Sequence, residues 1–402
     1  MTAAATFPFL LPLLVLAFIS HGAEGFVQQL VGYRIYEGDS ITVPSNGVYL
    51  VTMVVDPNGG NTDMQLKING KPNSDFTAYG IRDVVAGLTV AMVLQAGDVI
   101  GGQVWGDLAR INVCRLGVAR VTSKTVPNLT YRSNKDSGAA IIRWNNILEE
   151  NQQWSQGYMS QGYINLFSQK SGMYWLALRP DSDYDGSVEV RVIRYDPRTK
   201  KTDNLLYAYC EGYKRDISAS GAFYLSSTDS ITVERDSADK PLGPANLFSL
   251  VKLTDNNRTT FQEKYDYVAY TAHTMNRKGG VPTFAYNVKT NEGSIFDKQN
   301  NRWIIPQEGL YIVSIRGDPN RNVFNEDGRV VQSKKLLLKK LNNLHFDTIF
   351  EVFSERNVPS GQAGVFSFRL GDILIIELQD LSNYSVDIED GTMMSIAFIA
   401  RG

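Results

Sequence analysis

Asp181, Asp183 and Asp185 alternate ahead of Gly186, a spacing that sets three hard carboxylates around one cation with a sharp turn beneath it. The pattern is the first half of a calcium loop, although Val192 stands where the bidentate glutamate would close it. Two comparable stretches, Asp56-Pro57-Asn58 and Asp318-Pro319-Asn320, are read more simply as Asx turns. Arg316-Gly317-Asp318 spells an adhesion-type tripeptide, but Pro319 restrains it and three residues are a weak signal. Cys114 and Cys210 can pair in an oxidising compartment or remain buried thiols; two cysteines are no cystine framework. Catalysis has little to stand on. Beyond the first 25 residues the histidines are His273 and His345, with no Gly-x-Ser-x-Gly elbow and no Cys-His pair within one segment, so no enzyme is expected.

The elements that carry these residues are β-strands. The chain has 402 residues, 43% of them hydrophobic and 11% aromatic, enough apolar surface for a folded multidomain protein. A formal charge of −2 gives no bulk electrostatic hold on nucleic acid or an anionic membrane. Residues 1–25 are expected to be a signal peptide, with an uncharged apolar stretch over 7–19 followed by small residues at 20–25. No later stretch suits a membrane anchor, so a secreted, extracellular product is expected. Sequons at Asn128, Asn257 and Asn383 fit that destination as glycosylation sites.

One pattern occurs three times: Gly-x-Tyr, a short apolar run, then Asp seven residues after the tyrosine. It joins Gly47, Tyr49 and Asp56; Gly172, Tyr174 and Asp181; and Gly309, Tyr311 and Asp318. The intervals, about 125 and 137 residues, are those of whole domains rather than of a solenoid. Downstream, Gly97-Asp98, Thr228-Asp229 and Gly371-Asp372 each end one apolar strand and begin the next. Short Val-, Ile-, Tyr- and Phe-rich strands broken by Gly, Asn, Asp and Pro predict an all-β chain of sandwiches, with units at 26–121, 129–253 and 265–402. Polar stretches holding Asn128 and Asn257 read as the linkers. The first unit has less chain before its Gly-x-Tyr, which predicts a missing opening strand and a bare sheet edge.

The Gly-x-Tyr strands do not alternate apolar with polar: 49–55 is interrupted only by Thr52, and 174–178 not at all. A strand of that kind is covered on both faces. Either long loops of its own unit supply the second cover, or a neighbouring unit does. Short linkers allow the three units to close into an intrachain pseudo-trimer; the alternative is a string of domains, each trimerising with copies on other chains.

The third unit resembles the globular domain of complement C1q and the tumour necrosis factor ligands. The marks are Phe284, Asn291, Gly293, Phe296 and Asp297, then Pro306, Gly309 and Tyr311, then Gly371-Asp372 and the closing Ser395 and Phe398. The resemblance is carried in the first unit by Pro44, Gly47, Tyr49, Asn69, Gly70, Gly97 and Asp98, and is weakest in the second. It implies ten-stranded jelly rolls associating in threes, and a recognition protein binding extracellular protein or glycan ligands through sandwich loops. A structural protein of an extracellular, biomineral or adhesive matrix is the second reading, and a cytokine-like ligand the third.

Overall fold

The fold was obtained as a computed structural model. It describes the chain outside residues 1–17, 22–25, 33–38, 58–59, 83–84, 107–110, 123–127, 134–140, 143, 145, 151–158, 161–162, 166–170, 182–186, 212–217, 237–241, 243–245, 254–267, 274–283, 285–286, 318–332, 343, 356–359, 381–391 and 401–402. The described residues form strands and turns, with no helix.

The third unit shows the pattern most fully. Its strands are β20 (Ala269–His273), β21 (Asn287–Glu292), β22 (Phe296–Asp297), β23 (Arg302–Ile304), β24 (Gly309–Gly317), β25 (Ser333–Asn342), β26 (His345–Glu355), β27 (Ser360–Phe368), β28 (Ile373–Asp380) and β29 (Met393–Ala400). They form two five-stranded antiparallel sheets in the orders β21-β20-β29-β24-β27 and β22-β23-β28-β25-β26. First and last strands are neighbours and chain-adjacent strands repeatedly lie in opposite sheets, which is the jelly-roll winding. The second unit repeats it with β10 (Asn128–Ser133), β11 (Asn146–Glu150), β12 (Met159–Ser160), β13 (Tyr163–Asn165), β14 (Gly172–Arg179), β15 (Ser187–Asp196), β16 (Lys201–Glu211), β17 (Ala219–Leu225), β18 (Ser230–Arg235) and β19 (Asn246–Lys252). Its sheets run β11-β10-β19-β14-β17 and β12-β13-β18-β15-β16.

The first unit comprises β1 (Phe18–His21), β2 (Phe26–Gly32), β3 (Ser40–Thr42), β4 (Gly47–Pro57), β5 (Gly60–Ile68), β6 (Lys71–Arg82), β7 (Ala86–Leu94), β8 (Val99–Gly106) and β9 (Ile111–Thr122). Its sheets are β1-β2-β9-β4-β7 and β3-β8-β5-β6. The expected loss of the opening strand is corrected: β2 is that strand, paired with β9. What is absent among the described residues is the short edge strand of the outer sheet, the counterpart of β12 and β22. Less chain separates Gly32 from Ser40 than separates the corresponding strands of its siblings. The inner-sheet edge held by β11 and β21 in the siblings is occupied by β1, which falls within the expected leader.

The repeated Asp turn has a plain physical cause. Asp98, Asp229 and Asp372 each accept, through Oδ2, the backbone N–H three residues earlier, at 2.8, 2.9 and 2.8 Å, closing the turn between two strands. Gly97 and Gly371 sit there at φ of 91° and 84°, where a side chain would be strained. Thr228 takes the place with a turn of another kind, its N–H donating to Ser226 Oγ at 3.4 Å. Burial holds the Asp229 carboxyl above the usual carboxylate range, against the Ser226 N–H and Arg194, which pull it down. A raised folded pKa adds stability below the unfolded value near 3.9 and loses it as pH rises through the folded value. Neutral Asn keeps the acceptor. Asp229→Asn is therefore expected to gain thermal stability over the parent as pH rises from about 3.5 to 7; a constant gap across a pH series of melting curves would refute this.

The repeated tyrosines lie inside the sandwiches. Tyr49 and Tyr311 are fully buried, and Tyr174 is 1% exposed. Tyr49 Oη donates to the Ser45 carbonyl at 2.6 Å and Tyr311 Oη to that of Gln307 at 2.8 Å, each four residues upstream, fixing how the strand enters the sheet. Burial pushes the Tyr270 and Tyr311 phenols well above their ordinary range, so both stay protonated as donors.

The residue after each tyrosine faces the opposite way, out of its own sandwich. Leu50, Trp175 and Ile312 meet in one cluster with Val48, Met173 and Leu310 from the same strands, Val121 and Ile399 from the closing strands and Leu253 just past β19. This cluster takes side chains from all three units and is distinct from the three sandwich cores, two of which also take in one residue of the next unit, Leu247 and Met393. The neighbouring units, rather than local loops, supply the second cover of β4, β14 and β24, and the three sandwiches close into one intrachain pseudo-trimer.

Candidate functional site

The features that set this chain apart from three beads on a string are its three inter-unit seams and the turns at the rims. The first two seams place β7 or β17 and the adjoining outer-sheet strand of one unit against the first and last inner-sheet strands of the next, and at the closing seam β27 meets β4, β7 and β9. Register identifies equivalent positions: Ala91, Ala222 and Val365 stand opposite Leu50, Trp175 and Ile312.

The first two seams are sealed by hydroxyls acting on backbone. Ser249 Oγ accepts from the Ala91 N–H at 2.8 Å and Thr130 Oγ1 donates to the Ala91 carbonyl at 2.9 Å, while the two hydroxyls lie 2.8 Å apart. One unit further on, Ser395 Oγ accepts from the Ala222 N–H at 3.0 Å and Thr271 Oγ1 donates to the Ala222 carbonyl at 2.7 Å. Thr290 Oγ1 donates to the same carbonyl at 2.9 Å. β7 and β17 are edge strands paired on one side only, so these hydroxyls satisfy the backbone groups that the open edge turns toward the neighbouring unit. Thr271→Val keeps the shape and deletes the donor. The expected loss is about 1–2 kcal/mol, read from the chemical denaturation midpoint; an unchanged midpoint would show that the clamp contributes nothing.

Arginines reach across the same seams. Arg179, 1% exposed, donates from Nη1 to the Thr77 carbonyl on β6 and stands 5.9 Å from the Tyr79 ring centroid. Arg115, on β9, reaches toward the Ile349 carbonyl on β26 at 3.5 Å and lies 5.2 Å from the Phe350 ring centroid. Burial lowers the Arg115 guanidinium from its ordinary value, while Glu351 and Asp56 act in the opposite sense. Register exposes an exchange. Arg179 faces Leu247 and Arg316 faces Met393, but in the first unit Val54 faces Arg115. The cation has moved to the opposite strand of the pair. Around the periphery, Arg132 pairs with Asp75 across the first seam, and Lys289 with Asp203 across the second at 2.7 Å.

Of the residues singled out in the sequence, Asp183 and Asp185 lie outside the described residues, and Asp181 is half-buried with its N–H donating to Asn246 Oδ1 at 2.8 Å. Asp56 is no loop residue: it is buried within β4, opposite Val113. The adhesion motif loses its arginine, since Arg316 is 3% exposed in β24 beside the second seam, with Gly317 on the same strand and Asp318 outside the described residues. Asn128 is not in a linker but opens β10, paired with Val251, and the Thr130 of its sequon is the seam hydroxyl; Asn257 and Asn383 lie outside the described residues. Cys114 is fully buried in the first sandwich and Cys210 is on β16 of the second, opposite Val188, so the two belong to different sandwiches and their pairing is not supported. Gly47, Gly172 and Gly309 begin β4, β14 and β24 as expected. No cluster of three metal-ligating side chains occurs among the described residues.

The Gly371-Asp372 turn was read in the sequence as a repeat mark, but the apolar residues at this rim were not singled out, and their only signal was two leucines in turns. Leu344, between β25 and β26, is 91% exposed, Leu370, between β27 and β28, is 70% exposed, and Phe346 is 42% exposed. Both turns lie at one end of the third unit, tied by the Lys340–Asp372 ion pair at 2.6 Å. The first unit's equivalent is polar and closed, with Asn69 Nδ2 donating to Asp98 Oδ1 at 2.9 Å and the Val99 N–H donating to Asn69 Oδ1 at 2.8 Å. In the second unit Asp196 accepts from the Arg198 N–H and the Thr199 hydroxyl, at 2.8 and 2.9 Å, and these hold its carboxyl below the usual range.

The fold and seams define an all-β protein of three jelly-roll sandwiches closed about a pseudo-threefold axis. No protein-family model matches the chain, and no curated protein does. Among solved structures it is similar to the globular domain of zebrafish complement 1qA protein, at 16% identity, 33% of this chain, 99% of that chain and a TM-score of 0.27. It is likewise similar to murine APRIL, at 13% identity, 33% and 98% coverage and a TM-score of 0.27. A third similarity is to the Eiger tumour necrosis factor of S. frugiperda, at 15% identity, 35% and 99% coverage and a TM-score of 0.27. No helix among the described residues is long and apolar enough to cross a membrane.

Proposed function

We propose that the chain is a secreted, non-enzymatic recognition protein of complement C1q type that binds extracellular protein or glycan ligands through its sandwich loops. The observation that carries this reading is the apolar rim of the third unit. Large apolar side chains held in short turns and left in water mark contact surfaces, because folding alone gives no reason to keep them there. Three of the five large exposed apolar residues described, Leu344, Phe346 and Leu370, share that rim. The sibling rims are polar, so the third unit does the binding and the other two complete its scaffold. Calcium assistance through Asp181, Asp183 and Asp185 is a further part of the proposal and rests on their spacing alone.

The test is surface-plasmon titration of extracellular glycoproteins over the immobilised chain. Leu344→Asp with Leu370→Asp is expected to weaken saturable binding by tenfold or more, since burying a charge in an apolar contact costs over about 1.4 kcal/mol. Asp183→Ala reports the calcium dependence. Deposition or polymerisation that ignores the rim variant would favour the matrix reading.

A further inference from the structure

The three seams are not equivalent. Residues 123–127 tether the first unit to the second and 254–268 the second to the third, whereas the seam between the third and first units has no tether. At that seam the hydroxyl clamp is missing from the sequence. Gly117 occupies the register position of Ser249 and Ser395, opposite Thr52 where those face Ala177 and Ser314. Gln29, paired with Gly117, replaces Thr130 and Thr271, so neither β-hydroxyl is present to engage the backbone of β27. Leu247 and Met393 join the apolar cores of the preceding units, and Arg115 stands at their position in the first. The sheet edge that β11 and β21 cover in the siblings is covered here by β1, from the expected leader. Removal of the leader would uncover β2, an open strand edge beside the same seam.

We infer that this seam is an exchange interface, at which a second copy of the chain supplies the face that the first chain's own unit supplies in the closed ring. The occupant follows from the geometry. The face of the third unit, built from β26 and β27, fits the face of the first, built from β4, β7 and β9, because the two are already packed together. A second copy presents the same faces with the same contacts. The two surfaces differ, so the contact is heterologous: two chains close reciprocally into a swapped dimer, and failure to close gives a head-to-tail chain. Tethered units have an effective concentration of the order of millimolar, so the closed monomer dominates in dilute protein and exchange grows with concentration. This inference stands apart from ligand recognition and needs no ligand.

A disulfide trap tests it. A Cβ built on Gly87 lies 3.4 Å from the Gln362 Cβ across the closing seam, and one built on Gly221 lies 3.4 Å from the Ser395 Cβ across the tethered second seam. Both are close to the 3.5–4.5 Å span of a disulfide. The full-length double variants Gly87→Cys/Gln362→Cys and Gly221→Cys/Ser395→Cys are refolded over a hundredfold range of protein concentration, oxidised, and separated without reductant. Disulfide-linked dimers and higher species that rise about tenfold across the series in the first pair, and stay near background in the second, are the expected result. Only intrachain closure of the first pair at every concentration would overturn the inference, as would equal interchain linkage in both pairs. Light scattering on the unsubstituted chain guards against an artefact of the cysteines. It must show mass rising above one chain on the same refolding series, and a constant single-chain mass overturns the inference as well.

Discussion

Trp175→Ala is expected to lower the unfolding free energy by about 3–5 kcal/mol, the cost of emptying a fully packed site of a large aromatic ring. Trp175 is 1% exposed, yet it belongs to no single sandwich: its cluster is formed by all three units around the axis. The loss should therefore be read in more than one number. While the cluster is intact the units share one buried surface and should unfold together. With the cavity present, that coupling weakens, and a single denaturation transition is expected to broaden or divide. A melt that shifts by that amount while remaining sharp and single would mean that the axis stabilises without coupling the units. A loss below about 1 kcal/mol would mean that neighbours collapse into the cavity.

The second large effect belongs to Arg179→Ala. Its guanidinium is buried in the first seam, donates to the Thr77 carbonyl and stands over the Tyr79 ring. Truncation removes a charge-assisted hydrogen bond and a desolvated cation–π contact, and leaves the carbonyl without that donor, for an expected loss of about 2–4 kcal/mol. Arg179→Lys should recover less than half of it, because an ammonium lacks the planar fork that can bond a carbonyl and lie over a ring together. Denaturant titration of the three proteins decides the matter. Full recovery by lysine would show that charge alone matters at this seam. The Arg316 position should behave similarly, because the register of β24 repeats that of β14, whereas Val54→Ala in β4 should cost only the loss of two buried methyl groups, about 1–2 kcal/mol.

Much of the architecture is legible in the residues. The repeat of Gly-x-Tyr and Asp turns fixed the number of units, because the tyrosine must reach a carbonyl four residues back and the aspartate must cap its own turn; both are local requirements that leave local marks. The near-continuous apolarity of the Gly-x-Tyr strands announced burial on two faces. It could not say which side chain faced which way, since the alternation that reveals facing disappears when both faces are dry. The tyrosines looked like candidates for core and interface together, and the structure divides the roles: Tyr49, Tyr174 and Tyr311 go inward, and Leu50, Trp175 and Ile312 go to the axis.

The sites were less legible. The adhesion tripeptide and the linker sequon were judged from short stretches, but Arg316 is buried in β24 and Thr130 is claimed by a neighbouring unit distant in sequence. A motif of three residues contains no information about such a neighbour. The apolar rim of the third unit was missed for the opposite reason, since single leucines in turns are unremarkable until β25 and β28 bring two turns to one end.

By itself, then, the sequence determined the class of structure: three β-sandwich units of jelly-roll pattern with strands buried on both faces, because period, turn chemistry and strand composition act over a few residues. The tertiary structure alone decided that one chain closes its own ring, which residues meet at the axis, where the arginine and its apolar partner exchange strands, and that the third seam lacks the hydroxyls of the other two. Those outcomes depend on register between strands more than a hundred residues apart, and on which faces remain to be covered once each sandwich has formed.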